Sequence, residues 1–155
     1  MGEPVVCIFP HSDDEFTSAD ELRNFLCDRL PAQPEGRYLL GKLRRKDKNF
    51  KARVIQGSIV LFLKKGLVVG QATIQNAIRE LDPPVDGITE RGIPVKYYHE
   101  VIFAPQSIIV YRRGIPVEKL KQWSGRSLEP PPYAILGTKQ ECEEHFKETV
   151  KYARL

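Results

Sequence analysis

With 155 residues, 41% of them hydrophobic and 28% charged, the chain has the size and balance of one globular α+β domain spanning 1–155 around one core. It has no run of about 18 apolar residues to cross a membrane, and Val5 to Phe9 is too short, with Glu3 before it, to read as a secretory leader. The net charge is +4, but residues 1–35 hold two basic and eight acidic side chains, residues 36–126 eighteen and seven, and residues 127–155 four and five, so a polyanion-binding face belongs in the middle.

In chain order, Val5 to Phe9 is an apolar run ended by Pro10 and predicts a buried strand. His11 to Glu15 is a polar loop. Ser18 and Glu21 form a capping box, and Leu22, Phe25, Leu26 and Leu30 recur at helical spacing until Pro31 and Pro34 stop the helix. Arg37 to Leu43 predicts a strand, and Arg44 to Phe50 a charged loop. Ser58 to Leu63 and Leu67 to Ile74 predict a hairpin turned at Lys64-Lys65-Gly66. Leu81 to Pro94, with three prolines and two glycines, predicts a long irregular loop. Strands follow at Tyr97 to Phe103 and Ile108 to Arg112. Pro116 opens a short helix to about Trp123, and Ser124 to Pro132 predicts a loop. Thr138 and Glu141 cap a last helix whose apolar face is Cys142, Phe146, Val150 and Ala153. The expected fold is a curved mixed β-sheet or β-barrel of about six strands, flanked by about three helices. The last helix reaches Leu155 without a C-cap, which predicts a domain cut from a longer chain.

The residues offer little for catalysis. Cys7, Cys27 and Cys142 are odd in number and widely spaced, without a CxxC, and are expected to be buried reduced thiols. The His11 to Glu15 run lacks a second cluster at metal-ligand spacing, so it predicts a loop feeding a helix rather than a metal site. Neither GxSxG, GxGxxG nor a P-loop occurs. His99 and His145 stand alone, as structural histidines do. A non-enzymatic domain with no cofactor and no metal is therefore expected.

The densest signal is Lys42, Arg44, Arg45, Lys46, Lys48, Lys51 and Arg53, opposed only by Asp47 and interleaved with Phe50. A basic loop with an aromatic residue suits a nucleic-acid backbone, so these seven are the candidate phosphate contacts. Arg112, Arg113, Lys119, Lys121 and Arg126 extend that face.

Three blocks resemble the PUA-like superfamily, in its EVE and YTH branches. They are Val6 to Glu15 with its helix, the hairpin Gly57 to Thr73, and Tyr97 to Val110 followed by Ile115-Pro116-Val117-Glu118-Lys119-Leu120. Ser58 stands where that family often has Asp, and Trp123 is the only tryptophan, so stacking falls to Tyr38, Phe50, Tyr97, Tyr98, Trp123 or Tyr133. The resemblance implies a reader of a modified, often methylated, base, captured by base flipping. Its base pocket would be Tyr97, Tyr98 and Trp123 for the faces and His11, Ser12 and Asp13 for the edge. The expected partner is nucleic acid, DNA ahead of RNA, with no membrane. A nuclease or NTPase effector, fused or associated, would make this the targeting module of a modification-dependent restriction system. Localisation is expected to be cytoplasmic, or nuclear in a eukaryote. An RNA-binding or RNA-acting domain of the same superfamily and a protein-interaction module with a basic face stand as alternatives.

Overall fold

A computed structural model of the chain describes residues 2–13, 15–33, 36–41, 49–89, 91–125 and 133–153. The elements are β1 (Val5–Pro10), α1 (Ala19–Asn24) running directly into a π-helical turn (Phe25–Arg29), β2 (Arg37–Leu40), α2 (Phe50–Arg53), β3 (Ile59–Lys64), β4 (Leu67–Ile88), β5 (Pro94–Phe103), a 3₁₀ turn (Pro105–Ser107), β6 (Ile109–Pro116), α3 (Val117–Ser124), β7 (Ala134–Thr138) and α4 (Lys139–Ala153). The seven strands form one open mixed sheet ordered β2-β5-β4-β3-β1-β7, with β6 also pairing β4. Among the described residues only β1 and β3 pair in parallel; the other pairings are antiparallel.

The continuous apolar runs of β1 and β3 follow from their position. Both lie in the middle of the sheet and are covered on both faces, so both sets of alternating side chains are buried. Val5, Cys7, Phe9, Val60 and Phe62 join one core cluster with Leu22, Leu26 and Leu30 of the first helix. Val6, Ile8, Leu61 and Leu63 join a second cluster with Leu120 and Cys142 from α3 and α4. Each fully buried large apolar side chain contributes roughly 1.5–3 kcal/mol. Both expected helix starts are capped, but only the second closes as a reciprocal box. Ser18 Oγ accepts from Glu21 N at 3.2 Å, and Thr138 and Glu141 exchange two bonds of 3.1 Å. The Glu21 carboxylate, however, accepts from Thr17 N rather than from Ser18 N.

Four local expectations need correction. Leu81 to Pro94 is not a loop: β4 continues to Ile88 and pairs with Pro94 to Tyr97 of β5, forming a long ribbon. The prolines leave their mark as a register shift between Glu80 and Val85, because Pro83 and Pro84 have no N–H to give to a ladder. β7 was not anticipated, since Ala-Ile-Leu-Gly-Thr carries no alternation. Phe50 opens α2 instead of ending a loop, and it is fully buried. Cys27 is exposed; it lies one helical step, about 100°, past the stripe of Leu22, Leu26 and Leu30. Cys7 and Cys142 are buried as expected, and burial raises both thiol pKa values, that of Cys142 to about 11. The expected roles of Phe146, Val150 and Ala153 lie outside the described side chains. Among the described residues no helix is long and apolar enough to cross a membrane.

Candidate functional site

A cavity of about 300 Å³ opens between the first helix, β2 and the β4–β5 ribbon. That is the lower end of the range for small-molecule pockets. Five aromatic rings wall it: Phe16, Phe25, Tyr38, Tyr97 and Tyr133. Glu15, Arg29, Gln33, Arg37 and Thr89 supply polar groups. Three of the rings form a continuous surface, with centroids 5.4 Å apart for Phe16 and Phe25 and 6.0 Å for Phe25 and Tyr38. Phe9 lies behind the wall, 5.2 Å from Tyr133 and 6.3 Å from Tyr38.

Each wall residue has a local cause. The strand period turns Tyr97 to one face and Tyr98 to the other; Tyr97 enters the cavity and Tyr98 is exposed. Diagonally across the ribbon from Tyr97, Gly87, which pairs with Val95, leaves the room its ring occupies: a Cβ there would lie 2.4 Å from Tyr97 Cε2. Phe25 begins the π-helical turn and Arg29 ends it, so one wide turn gives the cavity both a ring and a cation.

His11 is buried beneath this wall. Its Nδ1 donates to Leu63 O at 3.3 Å, and its Nε2 accepts from the Tyr38 hydroxyl. This pairing assigns the neutral Nδ1–H tautomer. Burial pushes the His11 pKa down to about 4; the Leu63 carbonyl opposes that shift and the Lys64 charge adds to it. Burial also raises the Tyr38 pKa far above its ordinary value, so its hydroxyl remains a donor.

A pH dependence follows. Between His11's ordinary value of 6.5 and its folded value of about 4, the unfolded chain takes up a proton that the folded chain refuses. Stability therefore falls as the pH drops through that window, by about 3 kcal/mol in all. Urea midpoints at pH 7 and pH 4.5 should show the loss in the wild type and lack most of it in His11→Gln. An equal loss in both proteins would remove His11 as the cause.

The sequence-predicted residues are thus spread out. Tyr97 lines the cavity. His11 spends both ring nitrogens inside the protein. The Ser12 carbonyl accepts from Glu15 N and Phe16 N, closing the turn that presents both residues. Asp13 pairs with buried Lys64 at 2.5 Å, which holds its pKa below the ordinary value, while its carbonyl accepts from Arg91 at 2.7 Å. Trp123 packs on the second core cluster, 5.6 Å from the His145 ring, and is not among the cavity residues. Lys51 pairs with Glu80 of β4 at 3.2 Å, and Arg53 is exposed near Glu141. Lys42, Arg44, Arg45, Lys46, Lys48 and Arg126 lie outside the described residues. Among the described residues no group of three or more His, Cys, Asp or Glu is gathered as metal ligands would be.

The sequence reading missed Phe16 and Phe25 as wall residues, having read Phe25 as ordinary core. It also missed Glu15, Arg29, Gln33 and Arg37. No family model, curated protein or solved structure matches the chain.

Proposed function

We propose that this chain is a nucleic-acid reader, of the kind its resemblance to the EVE and YTH domains implies, that draws one base into the aromatic cavity. DNA carrying a methylated base is the favoured ligand. The observation that carries the reading is the cavity itself: five aromatic rings with polar groups among them, in a space of about 300 Å³. Aromatic faces stack on any base, at roughly 1–3 kcal/mol each. The polar groups would read the edge of a base that has left its stack. The cluster from Lys42 to Arg53 would follow the backbone, with Lys51 held beside β4 by Glu80. The mechanism is binding without chemistry: docking on phosphates, extrusion of one base, and capture between rings. The pocket is assigned to Tyr97 with Tyr38, Tyr133, Phe16 and Phe25. His11 supports Tyr38 from behind.

The test is the affinity for matched oligonucleotides, single- and double-stranded DNA and RNA, each with and without one methylated base. Tyr97→Ala is expected to lose about ten- to a hundredfold for the preferred ligand and little for the others. Replacing Arg44, Arg45 and Lys46 by Ala is expected to weaken all ligands alike and to flatten the salt dependence, because fewer counterions are released. A wild type that distinguishes none of these ligands would end the reader hypothesis.

A further inference from the structure

We propose that Gln33 is the residue that reads the entering base, its side-chain amide pairing with a neighbouring donor and acceptor on the base's Watson–Crick edge. The inference rests on reading the cavity as a base slot and names the group that gives the slot its selectivity.

Hydrogen-bond accounting singles Gln33 out. The Tyr38 hydroxyl donates to His11 Nε2. Thr89 Oγ1 accepts from Ile93 N at 3.1 Å, which braces the turn between β4 and β5. Arg37 gives its Nε to Glu100 at 2.5 Å. Glu15 and Arg29 interact with other groups of the protein. Gln33 lines the cavity, half-buried, and its amide makes no hydrogen bond among the described residues. The Tyr133 hydroxyl also stands outside the described hydrogen bonds, but it can rotate to give or to take one, so it suits either kind of edge. An amide is different. Its carbonyl and its NH2 lie side by side in one plane and ask for a donor next to an acceptor.

The backbone holds the residue in place. Gln33 N donates to Leu30 O at 3.1 Å, just after the π-helical turn, and Gln33 O accepts from Gly36 N at 3.0 Å, just before β2. Both main-chain groups are therefore used, and the amide is what the residue has left to offer.

The chemistry of the ligand follows. A base that has left its stack brings its Watson–Crick edge free of a partner. Each common base carries there a ring nitrogen beside an exocyclic amine or carbonyl, one donating and the other accepting. An amide can turn over, so it meets that pair in either order. The aromatic rings hold the faces of any flat ring, while the amide tests the edge. A base without the pair would strip water from the amide and return nothing, and an unsatisfied group costs more than a made hydrogen bond gains. The cavity thus selects bases whose edge is intact. A methyl on a ring carbon leaves the pair in place and adds contact with the rings. A methyl on the paired ring nitrogen destroys it.

The experiment titrates wild type and Gln33→Leu with the four common deoxynucleosides and 5-methyldeoxycytidine, each beside its analogue lacking the exocyclic amine or carbonyl of that pair. Binding isotherms and the Gln33 side-chain NH2 resonances are followed, with a urea midpoint for each protein. For the nucleoside that wild type binds best, the affinity is expected to be about tenfold above that of its analogue, and the Gln33 resonances should saturate with the isotherm. Gln33→Leu is expected to bring that ratio close to one by losing affinity for the nucleoside, while the analogue binds at least as well as before and the urea midpoint holds. A wild-type ratio near one overturns the assignment. So does a Gln33→Leu protein that keeps the ratio, or one that loses nucleoside and analogue alike, since the residue would then support the wall instead of reading an edge. Each of these results leaves the base slot standing and removes Gln33 alone. If no nucleoside binds or moves the rings of Tyr97, Tyr38 and Tyr133, the base slot fails and the role of Gln33 falls with it.

Discussion

Phe9→Ala is expected to destabilise the protein by about 3–5 kcal/mol, the usual cost of removing a fully enclosed phenyl ring. Phe9 is 0% exposed, and its ring lies 5.2–6.4 Å from those of Tyr38, Phe50, Phe62, Phe103 and Tyr133. Five rings from different parts of the chain cannot close together over the space it would leave, so the cavity term adds to the lost transfer energy. Two of those neighbours, Tyr38 and Tyr133, are walls of the candidate site. The substitution should therefore loosen the site as well as the core. Urea unfolding, with Phe9→Leu as a control costing less than about 1.5 kcal/mol, measures the effect. A loss below about 1 kcal/mol for Phe9→Ala would mean that the ring does not bear on its neighbours in the way described.

Gly36→Ala is expected to cost on the order of 3 kcal/mol, although it adds a single methyl group. Gly36 has φ +71°, and a Cβ would lie 2.2 Å from the backbone oxygen of Phe103. The left-handed conformation alone costs an L-residue about 1–3 kcal/mol. The obstruction is main chain rather than a side chain that could swing away, so β2 must move off β5 at its first residues. Those residues include Arg37 and Tyr38, both of which line the cavity. A substantial loss of stability should thus be joined by a large loss of ligand discrimination. A Gly36→Ala protein with wild-type stability and unchanged binding would contradict the account of how β2 is seated.

The sequence made the fold legible where one physical signal acted alone. The two-sided burial of β1 and β3 showed as unbroken apolar runs, and both N-caps showed as Ser/Thr followed by Glu three residues later, although only Thr138 and Glu141 close a reciprocal box. The ribbon from Glu80 to Pro94 was hidden because proline and glycine composition argues for a loop; the ladder tolerates both by slipping register between Glu80 and Val85. β7 was hidden because Ala134 to Thr138 has neither alternation nor length. For the site, Tyr97 was legible as one of a strand pair that must face opposite ways. His11 was legible as a residue at the end of β1, but its depth was not, and depth turns a candidate base contact into a support for Tyr38. The cavity itself was not legible, because Phe25 and Tyr38 carry the same apolar pattern whether the next layer covers them or leaves a gap. The ion pairs of Glu100 with Arg37 and Arg79 were invisible for another reason: the three residues lie far apart in sequence and meet only through the β2-β5-β4 order.

The most direct test of the central claim is to follow the tyrosine ring resonances while titrating the protein with the oligonucleotide it binds most tightly. Stacking a base in the cavity predicts that the rings of Tyr97, Tyr38 and Tyr133 shift together and saturate with the binding isotherm, while the exposed Tyr98 ring and the distant Trp123 ring move little. Tight binding that leaves those three rings unmoved, with the shifts confined to the basic segment or to the face around Trp123, would contradict the account.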